Sequence, residues 1–479
     1  MNFFVALNTP RIRWAVLGFA AVLLLFAQSS RTKLTTDPVV YAAIAKTMAD
    51  SGNYGALALK LGDEPYYNKP PLLFWLSAFA IKIFGSTVFA VTLFSRIFGL
   101  ACVFLTALLG SRLYDAKVGW AAGLILATTH LFFRSSATFR LESGLTFGIL
   151  LSLYGYLNGE RRWGPPLFYL GTCIAVLTKG IPGFLPLLTA PMHAFLSIPL
   201  RLWYKGVVRW LLWSPLLILP VLWWIHLVKT DGEVPLNMLL ADLARTKGNH
   251  LSRIAEFWTI CVVGFVKTYW PWLPFAVTGL WLSIQDLRNP QRERSARASA
   301  GFLLGWIAIV FVTSALKNAQ YLRYIFIALP AISIMAAVAL VHITPEKLFN
   351  CFAGIVALAT LLAAVGIACF ASGVPSELTQ YQTMGQILNE RLPARAPVSI
   401  IKMVQDNAAP ELALHEKARA LFFFGRSARL VSVDEVKRAP IGDRPTLLVK
   451  ANDCSRLKAL LPLEVLFAGS TYCLLETVR

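Results

Sequence analysis

The residues best suited to chemistry lie in a polar loop, residues 36–75, between two apolar stretches. Asp37 stands at the start of this loop, and Lys69 lies near its end, where two prolines follow. Between them come an amphipathic run, residues 39–48, and two adjacent phenols, Tyr66 and Tyr67. The loop is too polar to cross a bilayer, whereas its flanks are apolar. It therefore holds a carboxylate and an ammonium group at the water edge of a membrane, which suits a lipid-linked phosphate.

Transfer of a sugar from a polyprenyl phosphate is a reaction that these groups can perform. The leaving group is a phosphate monoester, a weak base, so the reaction needs cations to hold its charge rather than a general acid. An acceptor hydroxyl needs one base, whereas glycosidases use two carboxylates. In this interpretation Asp37 is the base, and Lys69 and Arg323 are the phosphate-binding cations.

A second carboxylate, Glu142, lies beside Arg140 at the start of an apolar run. A charge at such a position is costly unless it is paired or faces water. We predict that Glu142 holds Lys69 or the acceptor, and an ordinary interfacial pair with Arg140 is the alternative. Lys179 lies between two short apolar runs. It is either a phosphate-binding cation or a side chain that reaches toward the interface.

Several phenols complete the set of candidate residues. Tyr41 follows Asp37 by four positions, so both lie on one face if a helix starts there. Tyr66 and Tyr67 can donate hydrogen bonds to a phosphate or stack on a sugar, although aromatic residues also mark membrane interfaces. Pro38 suits a first helical turn, so Asp37 also fits a helix N-cap, and the two roles are compatible. The remaining candidates cluster before a late apolar run: Lys317, Arg323 and Tyr324.

Composition indicates a membrane protein. Of 479 residues, 57% are hydrophobic, against about 45–50% in soluble domains. Long apolar runs recur, and they predict a polytopic α-helical protein with about 11–13 transmembrane helices. In a soluble protein, the net charge of +20 would suggest that the protein binds nucleic acid. Here the basic residues lie between apolar runs, so we expect membrane lipids and phosphorylated lipids as partners and no nucleic acid.

The basic residues before the first apolar run predict the orientation of the chain. Arg11 and Arg13 would keep that end in the cytoplasm, so the loop of Asp37 emerges outside. Because many apolar segments follow, we expect the first one to be retained rather than cleaved as a signal peptide. The run from Leu72 to Phe84 is short and contains Lys82, which favours an interfacial helix.

From residue 372 the composition changes to mixed polar and apolar sequence. Short strand-like runs at 398–404, 446–450 and 463–468 and helical runs at 411–422 and 455–461 predict a small α/β domain, residues 372–479, after a transmembrane domain, residues 1–371. Cys454 and Cys473 in this domain would pair if it faces an oxidising compartment. No Cys or His spacing indicates a zinc site. The sequence indicates no cofactor with certainty. A divalent cation stays open, since no acidic cluster demands one but Asp37 and Glu142 could share one if they converge.

These features, in this order, resemble a group of membrane glycosyltransferases with the GT-C fold, the bacterial aminoarabinose transferase and protein O-mannosyltransferase-like group. The resemblance covers roughly residues 10–345. It rests on Asp37 with Tyr41, Tyr66 to Pro70, Arg140 to Glu142, Thr178 to Gly180, and Arg323 with Tyr324. It implies a catalytic carboxylate at Asp37 and a phosphate-binding ammonium at Lys69, assisted by Tyr41, Tyr66 and Arg323.

The resemblance also implies an activity. We expect an inverting glycosyltransferase that moves a sugar from a polyprenyl-phosphate donor to a lipid, glycan or protein acceptor at the periplasmic face of the inner membrane. Family members usually have acidic residues where this chain has Pro38 and Asn68, and a basic one at Val40. The sugar and the acceptor therefore stay open, with lipid A aminoarabinose transfer as one alternative. A transporter or flippase of a phosphorylated lipid is another, although no paired halves are visible in the sequence.

Overall fold

The computed structural model describes residues 9–27, 32, 34–54, 60–61, 64–197, 208–235, 237, 250–316, 321–346, 348–349, 355–356, 358–359, 362, 365–366, 377–391, 398–402, 415, 417–438, 446–468 and 472–477. It divides into two compact units. The first comprises Met1–Ser29, Tyr67–Leu73 and Thr92–Phe370, and the second comprises Ser30–Tyr66, Phe74–Val91 and Ala371–Arg479.

Fourteen labelled helices follow one another from residue 10 to residue 343 in the described part of the chain. In order they are α1 (Pro10–Phe26), α2 (Asp37–Ser51), α3 (Leu72–Phe84), α4 (Val88–Leu113), α5 (Ala116–Thr128), α6 (His130–Ser136), α7 (Leu141–Leu157), α8 (Gly164–Lys179), α9 (Leu185–Ser197), α10 (Ile218–Asp231), α11 (His250–Tyr269), α12 (Leu273–Arg288), α13 (Arg294–Leu316) and α14 (Leu329–Ile343). Short 3-10 segments precede three of them: Ile181–Phe184, Ser214–Leu217 and Leu322–Ala328.

Local sequence explains several helix ends. Proline occupies the first turn of α1, α2, α8, α12 and α14, where its missing N–H costs nothing. The carboxylate of Asp115 caps α5 by accepting from the amides of Lys117 and Val118 at 2.7 and 2.9 Å. Helix α8 ends at Gly180, whose φ of 76° favours glycine.

Membrane-crossing length is reached by some of these helices. Within the described residues, four helical stretches are long and apolar enough to cross a bilayer: Val88–Leu113, Val208–Asp231, Arg294–Ala315 and Leu322–Ile343. Two bent pairs raise the number to six if each pair is one span. The polytopic helical class is therefore confirmed, while the count of about 11–13 spans stays a prediction. The span expected from Leu348 to Ala371 lies largely outside the described residues.

One predicted apolar segment, residues 257–284, is not straight. The structure bends it by 118° between Ala255–Tyr269 and Leu273–Arg288. The turn falls on Trp270, Pro271 and Trp272. A proline there removes a backbone donor, and a second one, Pro274, starts the next helix. The sequence is apolar on both sides of the bend, so a hydropathy profile does not show it.

Helices α7 and α8 form a closely packed antiparallel pair in the first unit. A Cβ added at Gly148 would lie 2.5 Å from the amide nitrogen of Ala175 and 2.6 Å from the carbonyl oxygen of Gly171. A Cβ at Gly155 would lie 2.6 Å from the amide nitrogen of Phe168. Glycine thus brings the two backbones together, as small residues do between membrane helices.

Gly148→Ala is expected to lower the free energy of unfolding by about 1–3 kcal/mol, because the methyl group meets backbone that cannot move aside alone. Thermal unfolding in detergent measures the effect. Gly385→Ala is the matched control, since the nearest atom to the added Cβ lies at 3.6 Å, an ordinary contact. Equal melting temperatures for the two variants would contradict the close packing of α7 and α8.

The second unit contains all the labelled strands. A short antiparallel hairpin of β1 (Lys60–Leu61) and β2 (Glu64–Pro65) lies in the loop that follows α2. The C-terminal elements are α15 (Glu377–Arg391), β3 (Val398–Lys402), a π-helical turn (Ala420–Phe424), β4 (Ala428–Ser432), α16 (Val433–Arg438), β5 (Leu447–Lys450), α17 (Ala451–Leu460), β6 (Leu463–Ala468) and β7 (Tyr472–Thr477).

These strands form one mixed sheet in the order β4-β3-β5-β7-β6. The pairs of β3 with β4 and β5 are parallel, and β7 runs antiparallel to β5 and β6. Alternate residues of β5 enter different clusters, because successive side chains of a strand point to opposite faces. Leu447 and Val449 pack with α17, whereas Leu448 packs with α15. The predicted α/β character is confirmed, and the boundary at residue 372 stays a prediction.

The sequence located three of the five C-terminal strands and missed β4 and β7. The helical run predicted at 411–422 lies partly outside the described residues and ends in the π-helical turn. No disulfide joins Cys454 and Cys473 in the structure. Both side chains are buried in the same apolar cluster, which also contains Leu457 and Leu475.

Candidate active site

Asp37 is the first residue of α2 and is half-buried. The N-cap alternative is wrong by one residue, because Thr36 occupies the cap position and its side chain makes no capping hydrogen bond. Thr36 has a φ of 56°, which is unfavourable for a β-branched residue. Backbone strain of this kind clusters at functional sites. Within the second unit, α2 also packs against the π-helical turn of the C-terminal region.

Two of the predicted phenols share one aromatic neighbour in the second unit. The rings of Tyr41 and Tyr66 both meet the ring of Phe74 edge-on. The distances from the Phe74 centroid are 5.5 Å to the Tyr41 centroid and 6.5 Å to the Tyr66 centroid. Tyr41 is buried and Tyr66 is half-buried. Phe74 therefore fixes the orientation of both rings, one on α2 and one in the loop before Lys69.

The first unit contains a buried cluster of opposite charges. Glu142, in the first turn of α7, accepts a hydrogen bond from Lys179 Nζ at 2.8 Å. Arg323 Nε lies 4.0 Å from the same oxygen, Oε1. The side chain of Glu142 is 7% exposed and that of Lys179 is 14% exposed. Arg140 acts on Glu142 through its charge. One carboxylate thus faces three cations.

The packing of α7 against α8 positions this cluster. Glu142 begins α7 and Lys179 ends α8, so the antiparallel pair brings the two side chains together. The N-terminus of α7 favours an anion at this end, and the C-terminus of α8 favours a cation. Aromatic rings also contact the cations, with Lys179 Nζ 5.4 Å from the Tyr324 centroid and Arg323 Cζ 4.4 Å from the Tyr321 centroid.

A cavity of about 320 Å³ opens beside the cluster, within the first unit. Its lining includes two lysines, Lys69 and Lys179, and apolar residues from the segment after α8 and from α10. The full lining is Tyr67, Asn68, Lys69, Pro70, Val176, Lys179, Gly180, Ile181, Pro182, Phe184, Pro220, Val221, Trp224 and Tyr324. A cavity with cations at one wall and exposed apolar side chains at another suits an amphiphilic anion.

Tyr67 lines this cavity, and Asp231 is the last residue of α10. Burial raises the pKa of Tyr67 to about 12, and the negative charge of the Asp231 carboxylate adds to the effect. The phenol therefore keeps its proton at physiological pH. Asp231 did not stand out in the sequence, where it only closes an apolar run.

The structure brings together several of the residues predicted from sequence. Four line the cavity: Lys69, Tyr67, Lys179 and Tyr324. Three more, Glu142, Arg323 and Arg140, belong to the charge cluster of the same unit. Asp37, Tyr41 and Tyr66 belong to the second unit, and Lys317 lies outside the described residues. No cluster of three or more metal-ligating side chains occurs among the described residues.

Comparison with known proteins gives a consistent result. The family model described as dolichyl-phosphate-mannose-protein mannosyltransferase matches residues 68–224. An undecaprenyl phosphate-alpha-4-amino-4-deoxy-L-arabinose arabinosyl transferase from Proteus mirabilis is 24% identical over 64% of this chain and 55% of its own length. An uncharacterized protein from Aquifex aeolicus is 26% identical over 62% of this chain and 57% of its own. The chain thus spans a little over half the length of these relatives.

Solved structures show the fold. The structure of ArnT from Cupriavidus metallidurans bound to undecaprenyl phosphate has a TM-score of 0.71 at 17% identity and covers 97% of this chain and 98% of that one. The structure of archaeal AglB from Archaeoglobus fulgidus, in complex with an inhibitory peptide and a dolichol-phosphate, has a TM-score of 0.54 at 14% identity. It covers 96% of this chain and 74% of that one. The chain has the GT-C fold, and the resemblance to the aminoarabinose transferase group is confirmed.

Proposed function

We propose that this multi-pass membrane protein of the GT-C fold is a glycosyltransferase that moves one sugar from a polyprenyl-phosphate donor to an acceptor. The acceptor is a lipid, a glycan or a protein, and lipid A is one candidate. The solved relatives bound to undecaprenyl phosphate or to dolichol-phosphate support a donor of this class. The match to the mannosyltransferase family model over residues 68–224 includes most of the cavity lining.

The observation that carries the proposal is the two-sided cavity. Lys69 and Lys179 give it two ammonium groups for a phosphate, while Ile181, Phe184 and Val221 offer apolar surface to a prenyl chain. Ammonium–phosphate hydrogen bonds are about twice as strong as neutral ones, so these cations stabilise the charge that forms as the phosphate leaves. A soluble nucleotide-sugar would have no use for the apolar wall.

Glu142 acts in this proposal by positioning cations rather than as a base. Its oxygen Oε1 is already engaged by Lys179 and lies near Arg323. An engaged carboxylate is a poor proton acceptor, because protonation would break the ion pair. Glu142 therefore keeps Lys179 extended toward the cavity and offsets part of the positive charge. Tyr324 lines the same cavity, and Arg323 belongs to the charge cluster around Glu142.

We assign the base to Asp37, as the resemblance implies. The carboxylate takes the proton of the acceptor hydroxyl, and the hydroxyl oxygen attacks the anomeric carbon. The bond from that carbon to the phosphate oxygen breaks, and polyprenyl phosphate leaves with the bonding electrons. A single displacement of this kind inverts the anomeric centre. The site and the C-terminal α/β region would face the periplasm, which agrees with Arg11 and Arg13 in the first turn of α1.

A transporter or flippase of a phosphorylated lipid is not favoured, because the relatives with named activities are transferases. Mass spectrometry of glycolipids and glycoproteins from cells with and without this protein tests the proposal. We expect one product that lacks a single sugar in the deletion strain and regains it on complementation. Identical glycan profiles, together with a polyprenyl phosphate trapped on one side of the membrane, would support transport instead.

Lys69→Ala is expected to weaken binding of undecaprenyl phosphate by about 10–100-fold, since one charged hydrogen bond contributes about 1.5–3 kcal/mol. Fluorescence titration of the purified protein with undecaprenyl phosphate measures this dissociation constant. Lys82→Ala is the control. Lys82 is an exposed lysine on α3 whose Nζ lies 5.1 Å from the centroid of the Tyr54 ring, and it does not line the cavity. Equal affinities for the two variants would exclude Lys69 from phosphate binding.

A further inference from the structure

The turn that joins α7 to α8, residues 158–163, lies at the end of this helix pair that is remote from the charge cluster. Glu142 is in the first turn of α7 and Lys179 is the last residue of α8, so the chain reverses at the other end of both helices. Helix α7 has 17 residues, which gives a length of about 25 Å. The hydrocarbon core of a bilayer is about 30 Å thick. The α7–α8 turn therefore belongs to the membrane face opposite to the cavity.

Four arginines gather at this turn. Arg161 and Arg162 belong to it and are exposed. Arg112, in the last turn of α4, has its Nη2 3.3 Å from Oε1 of Glu160. Arg209 donates from Nη1 to the carbonyl oxygen of Glu160 at 3.1 Å and from Nη2 to that of Arg161. Four guanidinium groups thus surround a turn that contains one carboxylate.

The α7–α8 turn is held in one conformation. Basic residues at one membrane face orient a chain without any defined geometry. Here Arg209 binds two successive carbonyl groups of the turn, and the pair of Arg112 with Glu160 attaches the turn to α4. Within the turn, the amide of Arg161 donates to the carbonyl oxygen of Asn158 at 2.9 Å. A preorganised surface loses little conformational entropy when it binds a ligand, so the exposed pair of arginines suits an anion.

An exposed aromatic ring lies beside these cations. Trp163 ends the turn and is 40% exposed. Its ring stacks on that of Tyr154, with centroids 5.7 Å apart and an interplanar angle of 23°, and Arg161 Cζ lies 5.9 Å from its centroid. Tryptophan at the end of an apolar helix is typical of the headgroup level of a bilayer. A guanidinium group and an indole therefore stand together where lipid phosphates lie.

We propose that the α7–α8 turn binds the headgroup of an anionic phospholipid, in the leaflet opposite to the cavity. Arg161 and Arg162 bind the phosphate, and Trp163 packs against the glycerol and the first acyl carbons. Arginine has five N–H donors in a planar fork, so the ring contact of Arg161 leaves donors for phosphate oxygens. A zwitterionic headgroup brings a cation that the arginines repel. This site is separate from the proposed transfer reaction and does not depend on it.

Native mass spectrometry of the purified protein counts bound phosphatidylglycerol, after undecaprenyl phosphate has been added to occupy the cavity. The double variant Arg161→Gln with Arg162→Gln should weaken phosphatidylglycerol binding by about tenfold or more, because charged hydrogen bonds to the phosphate are lost. Phosphatidylcholine should bind weakly to the native protein. Equal binding of the two lipids, or native phosphatidylglycerol affinity in the double variant, would overturn the proposal.

Arg288→Gln with Arg292→Gln is the matched control for charge. Both arginines are exposed near the end of α12, and Arg292 pairs with Asp286 at 3.0 Å. Removing two exposed charges there should change phosphatidylglycerol affinity by no more than about twofold. An equal loss in the two double variants would show that overall charge attracts the lipid, and it would overturn the assignment to this turn.

Trp163 separates a lipid site from a site for soluble phosphate. Trp163→Ala should weaken phosphatidylglycerol binding by about three- to tenfold, because apolar contact with the lipid is lost. Trp163→Phe should retain most of the affinity. Inorganic phosphate in excess should not displace the lipid, since it contacts only the guanidinium groups. Displacement by inorganic phosphate, or native affinity in Trp163→Ala, would contradict a phospholipid ligand.

Thermal unfolding shows whether the variants are folded. Arg161 and Arg162 are exposed, so the melting temperature of their double variant without phosphatidylglycerol should match that of the native protein. Phosphatidylglycerol should raise the melting temperature of the native protein more than that of the double variant. Undecaprenyl phosphate should bind both proteins alike, because the cavity lies at the other end of the helix pair. Loss of both ligands together would reveal a distorted helix pair and would contradict a separate site.

Discussion

Asp37→Asn is expected to lower the turnover of sugar transfer by about 10²–10⁴-fold, the usual contribution of a general base. The amide has nearly the same shape as the carboxylate and cannot take the proton of an acceptor hydroxyl. Binding of undecaprenyl phosphate should stay within about twofold of the native value, because cations on other elements hold the phosphate. Transfer in proteoliposomes and titration with undecaprenyl phosphate measure the two quantities separately.

The matched control for Asp37→Asn is Asp50→Asn on the same helix, α2. Asp50 is 60% exposed and pairs with Lys46 at 3.0 Å, four residues earlier. Exposed pairs of this kind contribute little, so turnover should not change. Native turnover in Asp37→Asn would contradict its role as the base. A small loss would identify an acceptor that is already ionised, such as a phosphate, for which Asp37 acts mainly by orientation.

Glu142→Gln is expected to lower the free energy of unfolding by about 3–5 kcal/mol, the usual effect of removing one member of a buried ion pair. It leaves Lys179, Arg323 and Arg140 together without the carboxylate that they share. Lys179→Met should cost less, because Glu142 keeps Arg323 within 4.0 Å. Thermal unfolding in detergent compares the stabilities of the two variants. A Lys179→Met variant less stable than Glu142→Gln would contradict the ion-pair cluster described above.

Undecaprenyl phosphate should stabilise Glu142→Gln more than it stabilises the native protein, because the phosphate restores a negative charge beside the cations that have lost Glu142. Glu160→Gln is the control for a carboxylate in a pair with arginine. Glu160 is 61% exposed, and its Oε1 lies 3.3 Å from Nη2 of Arg112. Replacing it should therefore lower the free energy of unfolding by no more than about 1 kcal/mol. Equal stabilisation of all three proteins by undecaprenyl phosphate would separate Glu142 from the phosphate site.

The sequence could predict the charged residues of this site because ions in apolar surroundings are costly and therefore noticeable. Glu142 and Lys179 stand out in apolar sequence for that reason, and the Tyr-x-x-Lys-Pro pattern marks Lys69. The partners of Glu142 were harder to predict. We expected Lys69 or the acceptor, and the structure gives Lys179 and Arg323. That pairing follows from the close contact of α7 with α8, which depends on backbone approach at Gly148 rather than on any local pattern.

Other features were outside the reach of sequence patterns for different reasons. Asp231 ends an apolar run like many interfacial residues, so its influence on the pKa of Tyr67 can be found only from the fold. The 118° bend between α11 and α12 leaves hydropathy unchanged on both sides. Strands β4 and β7 are as long as the strands that the sequence located, but their alternation is visible only once the sheet supplies two covered faces.

The two walls of the cavity have a consequence for the catalytic cycle. In the proposed function both walls recognise parts of the donor, the phosphate and the prenyl chain, that the released carrier retains, although the phosphate gains negative charge when the sugar leaves. The spent carrier thus keeps nearly every contact that the loaded carrier made, and it competes with the next one for the same place. Product inhibition is built into such a site, and its relief depends on how quickly the surrounding lipid draws the carrier away.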